Sequence, residues 1–104
     1  MIYALRDRGL ALEQSHAYEQ TRIFQTAARQ ARLLGEWAAP LLANADHAAY
    51  VSDIVAMALA GASQADLAAR LRHDFDAAGQ TIAEVELLHR MHDLLAQAQR
   101  DVTA

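Results

Sequence analysis

An all-α fold, a small four-helix bundle led by one long amino-terminal helix, is what this sequence predicts, and three observations carry it. Helix formers dominate: Ala fills 25 of the 104 positions with Leu, Arg, Gln and Glu plentiful, while Pro occurs once and Gly four times. Apolar residues recur at three- and four-residue steps, the spacing of one face of a helix. Gly residues and capping-type residues then divide the chain at short intervals, and links of a few residues set consecutive helices side by side.

The first segment, Met1 to about Leu12, has no clean stripe and is interrupted by Gly9. It reads as a frayed helix or one that needs a partner to hold it. From Glu13 to Leu34 there is no Pro or Gly, and Ile23, Phe24, Ala27, Ala28, Ala31 and Leu34 keep a narrow apolar face. Its early turns are too polar for a core, so Tyr18, Gln20, Arg22, Gln25 and Arg29 are expected in solvent. Residues 1–18 are thus expected to form a flexible arm, partly disordered or extended, and residues 19–43 a long helix.

Ala28 to Leu42 joins this front to an apolar remainder. Leu33, Leu34, Trp37, Ala38, Leu41 and Leu42 form a broad stripe, and Trp37, the only tryptophan, is the expected anchor of the core. Truncating such a residue costs roughly 3–5 kcal/mol when it is well buried. Pro40 removes a backbone donor and crowds the carbonyl of Glu36, which predicts a kink or stop near Trp37.

Asn44 to Asp46 reads as a turn capping a second helix over 46–60, with Tyr50, Val51, Ile54, Val55, Ala58 and Leu59 inward and Gly61 at its end. Ser63 and Asp66 have capping-box spacing and open a third helix over 63–78, in which Leu67, Leu71 and Phe75 recur every fourth residue before Gly79. Thr81 and Glu84 repeat the capping pattern for a last helix over 81–99, with Ile82, Val85, Leu88, Met91, Leu94 and Leu95 inward and a loose end from Asp101. The anchors expected from these stripes are Leu34, Trp37, Leu41, Ile54, Leu71, Phe75, Leu88, Met91 and Leu95. A chain of this length supports one domain and one core.

Charge narrows the functions. Every one of the nine basic side chains is Arg, and the net charge is −4. Residues 1–34 carry +2 and residues 35–104 carry −6. An acidic body argues against nucleic-acid binding, which needs a basic face to displace counterions. A basic front could instead meet an acidic protein surface. The absence of Cys excludes disulfides and thiolate chemistry, and the absence of Lys excludes Schiff bases and a P-loop lysine. The longest uncharged run, Ile54 to Ala65, is about half the roughly 20 residues a membrane helix needs. Charges in the first nine residues stand where a signal peptide has its apolar core, so a cytoplasmic protein is expected.

Glu86 and His89 make a single Glu-x-x-His pair near His92 and Asp93, and a carboxylate-bridged metal centre needs two such pairs plus two more inward Glu residues. His73, Asp74 and Asp76 lack a neighbouring Ser and cannot share one helix face. Ser63 to Arg72 superficially fits the first helix of a helix-turn-helix, but its turn comes only at Gly79. No metal, cofactor or catalytic set is expected.

Two motifs carry a family resemblance. Arg29, Arg32, Leu33, Leu34, Gly35, Glu36, Trp37, Ala38 and Ala39 make a basic run followed by Leu-Leu-Gly-x-Trp-Ala-Ala, and Asp74 to Gly79 makes Asp-Phe-Asp-Ala-Ala-Gly. With Arg90, Met91, Leu94 and Leu95 of the last helix, they resemble the zeta subunit family of bacterial F-type ATP synthases over about residues 5 to 99.

The resemblance implies a four-helix, non-enzymatic regulator that binds the catalytic head and inhibits ATP hydrolysis. Its amino-terminal arm, here Asp7 to about Tyr18, would wedge between catalytic subunits and the rotor stalk, with Glu19 to Arg32 in support and the bundle outside. Arg8, Glu13, His16, Tyr18, Glu19, Arg22, Phe24, Arg29 and Arg32 are the expected partner contacts. By its residue type His16 reads first as a solvent-exposed or turn position, with pH-dependent binding as the alternative. The free chain is then expected to be a monomer, reaching the membrane only through the ATP synthase. The arm departs from the family pattern across His16 to Arg22, where two acids and an aromatic are missing. The rival reading is a helical adaptor or homo-oligomer with no inhibitory activity.

Overall fold

In the computed structural model, helix α1 runs unbroken from Ile2 to Leu41. The structure describes the backbone of residues 2–103 and the side chains of residues 17–103. Three further helices follow, α2 (His47–Leu59), α3 (Gln64–Ala77) and α4 (Glu84–Thr103). The expected break at Gly9 is therefore absent. A single Gly costs about 1 kcal/mol in a helix, which weakens one without ending it.

Pro40 acts as a stop, since α1 ends one residue after it. The chain then reverses through Ala43, whose φ of 53° lies in the left-handed region. There the Asn44 N–H donates to the Ala39 carbonyl and the Ala43 N–H to that of Pro40, both at 3.3 Å. Gly normally takes this place because it has no Cβ to crowd the following carbonyl. Ala43→Gly should accordingly raise stability by about 1 kcal/mol, read as a higher urea midpoint with unchanged slope. A lower midpoint would show that this turn carries no strain.

Each following helix is delimited by its caps. Asp46 accepts the Ala49 N–H at 3.0 Å to start α2, and Asn44 Oδ1 holds the Asp46 N–H at 2.9 Å. Gly61, with φ of 91°, ends α2. The capping box of α3 is complete: Ser63 Oγ accepts from the Asp66 N–H at 3.1 Å, and Asp66 accepts from the Ser63 N–H at 2.9 Å.

The second capping box, expected at Thr81 and Glu84, does not form. The Glu84 carboxylate instead accepts Arg72 Nη2 at 2.9 Å, and α4 begins at Glu84 itself. Its far end also differs from expectation. Residues 101–103 are helical rather than loose, and Asp101 is tied to α1.

α1 is the spine, with α2 along one side and α4 along another. Leu34, Ala38 and Ala39 of α1, Tyr50, Ile54 and Ala58 of α2, Leu67, Leu71 and Phe75 of α3, and Leu87 and Met91 of α4 form one buried cluster. Trp37 is only half-buried. Its ring meets Phe75 edge-on, 5.5 Å between centroids at 65°, and the Arg90 guanidinium covers it at 5.4 Å. Phe75, not Trp37, is the largest fully enclosed side chain.

Of the expected anchors, Leu34, Ile54, Leu71, Phe75 and Met91 are buried and Leu95 half-buried, whereas Leu41 and Leu88 lie on the surface. Val85, at 76% exposure, and Leu59 are also outside. In α4 the inner row is Leu87, Met91 and Ala98. Leu87 and Leu88 differ by about 100° around the axis, and only the packing of α4 against the other helices decides which of the two is enclosed.

Candidate partner-binding site

Along α1 the burial changes character. From Ala17 to Gln25 every residue but Arg22 is exposed, while Thr26 to Arg29 are half-buried and Gln30 and Ala31 are enclosed. The bundle therefore lets go of α1 near Thr26. Three large apolar side chains lie beyond that point: Tyr18 at 68% exposure, Ile23 at 60% and Phe24 at 52%. At about 100° per residue they are spread around the helix rather than gathered on one side. The narrow stripe expected through Ile23 and Phe24 thus reaches the core only from Ala31 onward.

The charged residues here are mostly paired. Arg22 lies 3.6 Å from Glu19, and Arg32 Nε donates to Glu36 at 3.1 Å, both within α1 and on its surface. Arg29 differs, because its Nε donates across to Asp101 Oδ2 of α4 at 2.8 Å. Of the expected contact residues, Tyr18, Glu19, Phe24 and Arg32 are exposed and Arg22 is partly so. The side chains of Arg8, Glu13 and His16 lie outside the described residues. Beside this stretch an open groove of about 400 Å³ runs between α1 and α4, lined by Arg22, Ile23, Thr26, Ala27, Leu95 and Gln99.

The Asp101 carboxyl is held below the usual carboxylate range, first by the Arg29 guanidinium and then by the Gln97 amide. Because its folded pKa is depressed, Asp101 contributes stability at every pH above its unfolded value of about 3.9. That contribution is lost as the pH falls through the lower folded value. Thermal melts of the wild type and Asp101→Asn should differ at pH 7 and converge toward pH 2. A difference that persists undiminished in acid would rule out this ion pair as its source.

Elsewhere the titratable groups are structural. Asp74 Oδ2 accepts both the Tyr50 hydroxyl at 2.7 Å and Arg70 Nε at 2.8 Å, joining α2 to α3. Burial, then the Asp74 hydrogen bond, pushes the Tyr50 hydroxyl far above its ordinary value, so it remains a neutral donor. The Asp74 hydrogen bond pushes the Arg70 guanidinium up. His73 is exposed while Asp74 is engaged here, so the two do not form a catalytic pair. His89 Nε2 lies 3.9 Å from Asp93, and no group of three His, Asp or Glu among the described residues stands at metal-holding distances.

Sequence reasoning missed Gln30 and Asp101, the polar residues that fasten α1 to the other helices. Gln30 stands four residues before Leu34, on the inner side of the helix. That spacing was the available signal.

Fold and surface define an all-α helical protein whose longest helix outruns its own bundle and presents uncovered apolar side chains. Residues 2–101 match the family model described as ATPase inhibitor subunit zeta, and the chain belongs to that family. No curated protein was found to match it. Among the described residues no helix is long and apolar enough to cross a membrane.

Proposed function

We propose that this chain limits ATP hydrolysis by the F-type ATP synthase, with the free half of α1 entering the catalytic head beside the rotor stalk and the bundle held outside. Membership of an ATPase-inhibitor family supports the activity. The observation that supports the mechanism is the exposure of Tyr18, Ile23 and Phe24 on different sides of one helix. A helix laid on a flat partner needs apolar residues along one stripe. One surrounded by a partner needs them on several sides, and large aromatic side chains are the usual centres of such contacts.

In this reading the chain acts without catalysis and without a cofactor, as a monomer when free. Tyr18, Glu19, Arg22, Phe24 and Arg32 face the partner, and Arg8, Glu13 and His16 extend that set along the same helix. Arg29 serves instead to brace α1 against Asp101.

The test adds the purified chain to the matching catalytic head and follows ATP hydrolysis. Full-length protein should inhibit, a chain lacking residues 1–18 should not, and Tyr18→Ala and Phe24→Ala should each weaken inhibition about tenfold, equivalent to roughly 1.4 kcal/mol. Unchanged hydrolysis with the full-length chain rejects the activity. Equal inhibition by the shortened chain rejects the arm.

A further inference from the structure

The groove beside the exit of α1 continues along α4. Its α1 side is Ile23 and Ala27, and its α4 side is Leu95 and Gln99. A second hollow, of about 380 Å³, lies between α3 and α4, with Ala65 and Ala68 on one side and Leu88 and His92 on the other. Gln64 and Leu95 border both hollows. Together they form one shallow trough over α4 from Thr103 back to Leu88, roughly 22 Å long at 1.5 Å per residue.

The apolar surface of this trough is open to solvent, with Ile23 at 60% exposure and Leu88 at 48%. Leu88, whose spacing predicts an inward position, is left out because α3 touches α4 only lightly. The edges carry amides and hydroxyls: Gln64, Gln99, Thr26 and Thr103. An apolar trough about four turns long with such edges fits an amphipathic helix that presents residues at i, i+3 or i+4 and i+7.

Charge decides which kind of helix. Residues 35–104 carry ten acids against four Arg, so most of the body repels an acidic partner and attracts a basic one elsewhere. Among the described residues no carboxylate lines the trough, and Arg22 stands at its α1 end. The approach of Arg22 to Glu19, at 3.6 Å, is too long for a hydrogen bond, which leaves its donors to a partner carboxylate. Arg22 and Ile23 also belong to the proposed partner surface of α1, so trough and arm are continuous.

We infer that an acidic-flanked amphipathic helix on the outside of the catalytic head docks in this trough. The bundle then grips the head while the free half of α1 enters it. The identity of the partner rests on the proposed function, but the contact itself does not pass through the arm.

The test is calorimetric titration of the full-length chain into the matching catalytic head, with ATP hydrolysis followed on the same samples. Gln99 and His92 are exposed on the trough, and His73 and Gln80 are exposed away from it. Gln99→Glu combined with His92→Glu should weaken binding about tenfold. Gln99→Arg combined with His92→Arg should bind at least as tightly as the parent. His73→Glu combined with Gln80→Glu changes the net charge equally and should leave affinity unchanged at about 0.15 M salt, where the screening length is about 8 Å. Circular dichroism should show all three folded, and if the first pair does not fold, Gln99→Glu alone decides. A Glu pair on the trough that binds like the parent overturns the inference, as does an equal loss in the Arg pair or in the control. A parent that shows these charge effects without slowing hydrolysis upholds the trough and rejects the inhibitory activity. A parent that does not bind rejects both.

Discussion

Replacing Phe75 with Ala is expected to remove about 3–5 kcal/mol of stability, the range for a large aromatic deleted from a closed core. Phe75 is fully enclosed, carried on α3 beside Leu71, and its ring meets Trp37 edge-on. The loss combines the apolar area returned to water, the empty volume left between α1 and α3, and an aromatic pair worth about 0.5–1.5 kcal/mol by itself. Small domains have roughly 5–15 kcal/mol in total, so the variant should unfold at a much lower urea concentration. Trp37 makes the transition visible by fluorescence. Its emission should also move to longer wavelength in the folded baseline, because Phe75 is one of the groups that cover it. Val85→Ala, at a position 76% exposed, is the control and should stay within about 0.5 kcal/mol of wild type. Similar midpoints for the two variants would mean that the core is not centred on α3.

The second large effect is expected at Gly35. A Cβ added there would stand 2.8 Å from the Val51 Cα and 3.1 Å from its Cγ2. α1 thus runs close against α2 here, and the obstacle is backbone, which cannot rotate away as a side chain can. Gly35→Ala gains about 1 kcal/mol of helix propensity but forces the helices apart, and overpacking of this kind costs about 1–3 kcal/mol. With a backbone obstacle the cost falls toward the upper end of that range, so a net loss of up to about 2 kcal/mol is expected, measured as a lower urea midpoint. Adding Val51→Ala should recover only part of it, since trimming the side chain leaves the Cα in place. A Gly35→Ala protein as stable as wild type would refute the close crossing.

Much of the fold is legible in local sequence because its causes are local. The capping box at Ser63, the turn from Asn44 to Asp46 and the left-handed glycines at Gly61 and Gly79 each depend on a few adjacent residues. Leu67, Leu71 and Phe75, spaced every fourth residue, can face only one way once α3 exists. The Leu-Leu-Gly-x-Trp-Ala-Ala motif likewise marks its family by residue order alone, and the family match over residues 2–101 bears that resemblance out. The uncovered front of α1 is anticipated by its polarity, although Ile23 and Phe24 lie apart around the helix instead of joining the inner stripe.

The rest required partners distant along the chain. Leu87 and Leu88 offer two neighbouring apolar rows on α4, and nothing in their immediate surroundings chooses between them. Glu84 has the right spacing to cap its helix with Thr81, yet Arg72, 12 residues earlier, takes its carboxylate. Residues at the end of α4 remain helical where Asp101 meets Arg29, 72 positions away. Gln30 is polar by composition and buried by position, a combination that becomes favourable only when Gln64 and Met91 arrive beside it.

The sequence by itself determined that this chain is helical, where its last three helices begin and end to within a few residues, and to which family it belongs. Only the tertiary structure decided which faces are enclosed, which charges cross between helices and where α1 parts from the bundle. Hydrogen bonds within a turn form between groups that the chain already holds together. A contact between helices exists only after many weak preferences have been satisfied at once, and no single stretch of sequence contains both of its halves.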